Sequence, residues 1–193
     1  MSEIKVCFLY TETNGLHKTG YKPVSTKYMF GFARMMSLNY IIGYRKENGK
    51  FKTLINKRRI LKPKQLMIPD VVVKIHGIDR ELAEEEGEDN VLVMNEFKDD
   101  LKGVSVIVSH SLDFHIKTVQ YENLRARVKI DFSKYLLIDT MSFYHNIKNP
   151  KLKDLAKELL NKDYSKKENV YNLILIKKCF MKLYNNYEEE HFN

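Results

Sequence analysis

The chain has 193 residues, of which 44% are hydrophobic, and a formal net charge of +8. This length and apolar content predict one α/β domain with a real core at residues 1–187 and a polar tail at 188–193. The sequence has no apolar run of about 18 residues, which argues against a membrane-spanning helix. Its N-terminal residues Glu3 and Lys5 are not typical of a signal peptide. The widely separated Cys7 and Cys179 predict reduced thiols and an intracellular location, cytoplasmic or nuclear.

The first predicted strand begins at residue 4 and carries strand-forming residues such as Val6 and Phe8. The pair Asn14 and Gly15 ends this strand in a turn. Glu12 therefore lies at the carboxyl end of the strand, where open α/β sheets build their functional sites.

Two further strands are predicted after a loop at residues 17–31. Apolar residues dominate at 32–42, which predicts the second strand. A polar turn at 43–50 connects it to a third strand at 51–55, and we expect these two strands to pair antiparallel.

The most basic part of the chain is residues 45–64, which carry nine Lys or Arg side chains and one Glu. One interpretation is a face that contacts phosphates, because cationic side chains release counterions from nucleic acid. The alternative is a solvated edge hairpin whose lysines block pairing with another strand. The nucleic-acid-binding candidates in this stretch are Arg45, Lys50, Lys52, Lys57, Arg58 and Arg59.

An extended, proline-bounded connector is predicted at residues 62–69. Gly77 then permits a sharp turn, and Asp79 is placed to cap a helix that starts at Arg80. The apolar spacing at 90–101 predicts a second, amphipathic helix.

A buried fourth strand is predicted at residues 104–108, and Ser111 is placed to cap the helix that follows. A fifth strand at 135–138 ends in Asp139, which we expect to cap or orient the helix that follows.

The last part of the chain predicts two more helices. Asn149 followed by Pro150 is typical of a helix start. The final helix opens with a capping box at 165–168. Its apolar residues recur every three or four positions, at Leu173, Ile176, Phe180, Leu183 and Tyr187.

Residues 11–16, Thr-Glu-Thr-Asn-Gly-Leu, resemble the first motif of DnaQ-like 3′–5′ exonucleases of the RNase H-like, DEDD class. Segments further along the chain resemble other motifs of this family in the same order: His76-Gly77-Ile78-Asp79, His110 with Phe114, Asp139-Thr140, and Leu152 to Ala156. The resemblance implies an α/β, RNase H-like exonuclease fold. This fold has a five-stranded mixed sheet, with the first three strands antiparallel, flanked by helices.

The resemblance also implies four metal-binding carboxylates and a histidine general base. In this chain those four carboxylate positions are Tyr10, Glu12, His115 and Asn172, and Lys167 takes the place of the histidine. The formal charge of the site would fall from about −4 to −1, whereas paired Mg²⁺ ions need several carboxylates. We therefore expect no catalytic residues and no cofactor, with Mg²⁺ or Mn²⁺ bound only if activity remains and Glu12 as the candidate ligand.

These observations predict a catalytically inactive, exonuclease-fold binding or structural subunit of a nucleic-acid-processing complex. Its partner would be another protein of a replication, repair, transcription or RNA-processing assembly, and not a membrane. A second interpretation is a single-stranded DNA- or RNA-binding protein that uses His76, His110 and the basic stretch. A third is an active 3′–5′ exonuclease with a metal site rebuilt from Glu12, Asp113, His115 and Asp139.

Overall fold

The computed structural model describes residues 4–18, 22–143, 150–162, 164 and 172–192, which form an α/β fold around one five-stranded sheet. The sheet order is β3-β2-β1-β4-β5. Strand β2 pairs antiparallel with both β1 and β3, and β4 pairs parallel with both β1 and β5. The predicted mixed sheet with three antiparallel strands at its start is confirmed. The strands are β1 Lys5–Thr13, β2 Met35–Arg45, β3 Phe51–Ile60, β4 Val104–Ser109 and β5 Leu136–Asp139.

Helices cover both faces of the sheet. The α-helices are α1 Asp70–His76, α2 Arg80–Glu85, α3 Asn90–Asp100, α4 Leu112–Ala126, α5 Leu152–Leu160 and α6 Asn172–Phe192. The described ranges also contain three short 3₁₀ helices, at Thr26–Gly31, Phe132–Lys134 and Thr140–Phe143. No helix in the described part of the chain is both long and apolar enough to cross a membrane.

The alternation of side chains along β1 divides the core into two layers. Leu9 packs in the layer that contains Phe97 of α3 and Ile116 of α4. Phe8 packs on the opposite face, in the layer that contains Leu155 of α5 and Ile176 of α6. Because β1 is covered on both faces, its residues 6–9 are all buried and the strand reads as a continuous apolar run.

The structure corrects several predicted boundaries. Strand β2 lies three residues later than predicted and β3 runs five residues further, to Ile60. The polar end of β3 escaped recognition because its cationic side chains pair with α3 and need no apolar pattern. The 3₁₀ helix Thr26–Gly31 lies in the predicted loop, and α6 continues to Phe192, across the residues predicted as a tail. The predicted capping box at 165–168 lies outside the described residues.

Helix α1 was not predicted from the sequence. Its residues Val71, Val72 and Val73 are β-branched and have low helix propensity. The helix ends at Gly77, which adopts the left-handed conformation with φ of 73° and thus makes the predicted sharp turn. Asp79 then accepts a hydrogen bond from the Leu82 N–H, which confirms the predicted cap of α2.

Candidate functional site beside the first strand

A cavity of about 310 Å³ lies beside the carboxyl end of β1, between the first three strands and the start of α6. The side chains that matter for its chemistry are those of Tyr10, Glu12, Asn39, Arg58 and His76. Leu173 and Ile174, from the first turn of α6, close one side. The cavity thus contains two of the four residues that the resemblance placed at carboxylate positions, and Asn172 of the same four bonds to Tyr10 at its edge.

Three of these side chains form a hydrogen-bonded series. Asn172 Nδ2 donates to the Tyr10 hydroxyl oxygen at 2.8 Å. The Tyr10 hydroxyl in turn donates to the Glu12 carboxyl group. Burial raises the pKa of Tyr10 further above its ordinary value, so the phenol stays neutral and remains a donor. The oxygen atoms of Tyr10 and Asn172 therefore supply no negative charge to the site.

Glu12 is the one carboxyl group in this series. Burial raises its pKa to about 7, and the hydrogen bond from Tyr10 and the positive charge of Arg58 act in the opposite direction. Near neutral pH the group therefore carries only part of its charge. The local negative charge is lower than the presence of a glutamate alone would indicate.

His115 lies in the first turn of α4 and is buried, with 4% of its surface exposed. Its Nδ1 accepts a hydrogen bond from the backbone N–H of Thr11 at 3.1 Å and lies 2.8 Å from the Thr11 hydroxyl. Burial lowers its pKa to about 3, so the ring is neutral. The ring also packs against Tyr10, with 4.8 Å between the ring centroids. Thr11, which sequence reasoning missed, thus occupies the Nδ1 atom of His115.

Asp139 accepts a hydrogen bond from the Met141 N–H at 3.0 Å, in the 3₁₀ helix that follows it, as the sequence predicted, and it also holds the start of α4. Its two oxygens accept hydrogen bonds from the backbone N–H groups of Ser111 and Leu112, at 3.0 and 2.8 Å. Ser111 occupies the cap position, but its side chain makes no capping bond and its φ is 62°. The prediction that the Ser111 side chain caps the helix is therefore wrong, and the carboxylate of a neighbouring strand performs this role.

The structure does not bring together the metal site that the third interpretation predicts from Glu12, Asp113, His115 and Asp139. Asp113 projects into solvent and pairs with Lys117 one turn along α4, at 2.7 Å. Asp139 is used by the start of α4 and His115 by Thr11. Within the described ranges, no three His, Cys, Asp or Glu side chains converge as a metal-binding group. Lys167 lies outside those ranges.

The basic candidates do not form one continuous surface. Lys57 forms ion pairs with Glu96 and Asp100 of α3, at 2.9 and 2.6 Å, and Arg59 pairs with Glu96 at 2.7 Å. Arg58, between them, lines the cavity, and so does Lys57.

The remaining basic candidates belong to the β2–β3 hairpin. Arg45 donates to the Asn185 side chain and lies over the Tyr184 ring of α6. The ammonium group of Lys52 lies 5.4 Å from the centre of the Tyr44 ring. Lys50 is exposed in the turn between the strands. None of these three lines the cavity.

The two candidate histidines differ in position. His110 is buried, with Nδ1 2.9 Å from the Thr140 hydroxyl and Nε2 2.9 Å from the Pro150 carbonyl. It is therefore a structural residue of the interior, and the interpretation that it contacts nucleic acid is wrong. His76, at the end of α1, does line the cavity, as the second interpretation requires.

No protein-family model and no curated protein sequence matches the chain. Among solved structures, product-bound exonuclease I superimposes with a TM-score of 0.71 at 13% identity, covering 100% of this chain and 47% of that one. E. coli exonuclease I with a dA16 oligonucleotide gives 0.70 at 14%, covering 99% and 44%. A 3′-exonuclease that recognises the histone mRNA stem-loop gives 0.70 at 12%, covering 96% and 84%.

At these identities the likeness establishes the fold alone: the chain has the RNase H-like fold of 3′–5′ exonucleases, as the sequence predicted. It spans less than half the length of the exonuclease I chains and most of the histone mRNA 3′-exonuclease chain.

Proposed function

We propose that this protein is an exonuclease-fold subunit that does not hydrolyse phosphodiesters and that binds or supports other components of a nucleic-acid-processing complex. The observation that carries the proposal is the series from Asn172 through Tyr10 to Glu12, beside a His115 that is bonded to Thr11. At the positions where exonucleases of this fold would carry metal ligands, these side chains instead form hydrogen bonds within the protein. The partner we propose is a protein of a replication, repair, transcription or RNA-processing assembly.

The donor set does not fit a pair of divalent ions. Two-metal hydrolysis holds two dications about 4 Å apart, and Mg²⁺ requires hard oxygen ligands whose negative charge offsets its own. The available donors are one carboxyl group with a raised pKa, a neutral phenol and an amide. His115 has its Nδ1 lone pair directed at a backbone N–H. This comparison supports a loss of hydrolysis.

The decisive experiment is a cleavage assay on end-labelled single-stranded DNA and RNA with Mg²⁺ or Mn²⁺. We expect the strands to keep their length at every time point. A Glu12→Ala variant, purified in the same way, identifies contaminating nuclease, which would act equally in both preparations. Shortening by the unaltered protein that disappears in Glu12→Ala would overturn the proposal.

Single-stranded nucleic-acid binding is the second candidate function, and the position of Arg58 in the cavity favours it. Salt dependence separates the two candidates. A protein that neutralises phosphates with cationic side chains loses affinity steeply as salt rises. A protein that only docks onto a protein partner would show no salt-dependent binding of single strands. We place either function inside the cell, in the cytoplasm or the nucleus, where the buried thiols Cys7 and Cys179 stay reduced.

A further inference from the structure

Three consecutive basic residues of β3 meet different surroundings. Lys57, which also lines the cavity, and Arg59 both form ion pairs with carboxylates of α3. Arg58 lines the cavity and is exposed, and it forms no ion pair with any residue in the part of the chain that the structure describes. The positive charge of Arg58 therefore has no ion-pair partner among the described residues. It lies beside Tyr10 and Glu12, at two of the positions where the resemblance implies metal ligands.

The strand register places Arg58 on the same face of the sheet as Tyr10 and Glu12. Tyr10 pairs with Asn39 across β1 and β2, and Asn39 pairs with Arg58 across β2 and β3. Residues directly opposite each other in antiparallel strands project to the same face. The charge of Arg58 accordingly lowers the pKa of Glu12 and of His76, although burial is the largest influence on both groups.

His76 offers a second group to a ligand. Its Nδ1 accepts a hydrogen bond from the Ile78 N–H at 3.0 Å, so the neutral ring carries its proton on Nε2. This Nε2 is buried and makes no hydrogen bond of good geometry, although the Thr13 backbone carbonyl lies close enough to oppose the lowering of the ring's pKa by burial. Because the Thr13 carbonyl satisfies this donor only in part, an acceptor oxygen from a ligand would complete its hydrogen bonding.

We propose that Arg58 is the fixed cation of this cavity, and that the cavity binds a phosphate group of a single-stranded nucleic acid without a divalent metal. A guanidinium group matches two phosphate oxygens with parallel hydrogen bonds. The Nε2–H of His76 donates a further bond to the same group. The volume of about 310 Å³ is within the range of ligand pockets. This inference rests on the proposed function, because it assigns a ligand to a site that does not hydrolyse it.

The test is fluorescence anisotropy with a labelled single-stranded oligothymidine, in excess EDTA and again in Mg²⁺. The unaltered protein should bind equally in both. Arg58→Gln should weaken binding about tenfold, as expected for hydrogen bonds to a charged group. It should also reduce the slope of log K against log salt by about 0.7, the value for one single-strand phosphate contact. Arg58→Lys, which keeps the charge without the paired geometry, should fall between.

Lys98→Gln is the matched control, since it removes one positive charge from the exposed surface of α3, which packs on the other face of the sheet. Thermal unfolding of each variant confirms that it is folded. Equal affinities of Arg58→Gln and Lys98→Gln, a requirement for Mg²⁺, or no binding at all would overturn the inference. Strand shortening by the unaltered protein in Mg²⁺ would instead overturn the proposed function, while Arg58-dependent binding in EDTA would still stand.

Discussion

Charged side chains have different partners on the two faces of the sheet. On the face covered by α3 and α4, ionised side chains meet partners of opposite charge. Glu122 of α4 is fully buried, yet it accepts hydrogen bonds from Arg34 and Arg125, at 2.9 and 2.8 Å, and from the Met35 N–H. On the cavity face, Glu12 is bonded to a neutral phenol, and Arg58 has no ion-pair partner among the described residues.

The difference separates groups that stabilise the fold from groups available to a ligand. Paired charges on the face covered by α3 and α4 are already satisfied, and removing either partner exposes the other to an apolar interior. Unmatched groups on the cavity face cost stability, and perturbed ionisable groups of this kind concentrate at functional sites. The comparison therefore predicts effects of opposite sign when a carboxylate is removed from one face or from the other.

The largest effect is expected for Glu122→Ala. The substitution leaves Arg34 and Arg125 without their shared carboxylate, which should lower the free energy of unfolding by about 3–5 kcal/mol. Urea denaturation at pH 7 measures it. Glu81→Ala removes an exposed carboxylate from α2 and should change stability by no more than about 0.5 kcal/mol. Similar losses for the two variants would show that the buried network stabilises the fold no more than an exposed carboxylate does.

Glu12→Gln should have the opposite sign. The folded-state pKa of Glu12, about 7, lies above the ordinary value of 4.5, so ionisation opposes folding. Stability from the protonated form is fully present below pH 4.5 and is lost as pH rises through 7. At pH 8 the variant should therefore be more stable by on the order of 2 kcal/mol.

Urea denaturation of both proteins at pH 4.5, 6 and 8 checks this prediction, because these values lie on both sides of the Glu12 pKa of about 7. The difference between variant and unaltered protein should grow with pH. A difference that is constant across the series, or a less stable variant at pH 8, would contradict the assignment of a raised pKa.

Local chemistry was predictable where the responsible residues are close in sequence. The Asp79 cap involves Leu82, three residues away, and the turn at Gly77 depends on glycine's freedom at positive φ. Helix α1 was missed because three consecutive valines favour a strand locally, whereas packing of Val72 into the interior supports a helix. Tertiary contacts decided that segment.

The site itself was predictable in its residue positions but not in its bonding. From the order of the motifs, the sequence predicted that Tyr10, Glu12, His115 and Asn172 belong to one site. No pattern indicated that Asn172 would bond to a tyrosine 162 positions earlier, or that Thr11 would occupy His115 from 104 positions away. These contacts depend on helix packing across the sheet.

The smallest effect is expected for Glu96, which lies on the face covered by α3 and α4. Glu96 accepts from both Lys57 and Arg59, and these partners lower its pKa to about 2. Its contribution to stability is therefore present above pH 4.5 and lost as pH falls through 2, the reverse of Glu12. Because the three side chains are 25–30% exposed, Glu96→Gln should cost about 1 kcal/mol at pH 7. Urea denaturation at pH 7 and again at acidic pH should show the loss shrinking with acid; a loss that grows with acid would reverse the sign assigned to this face.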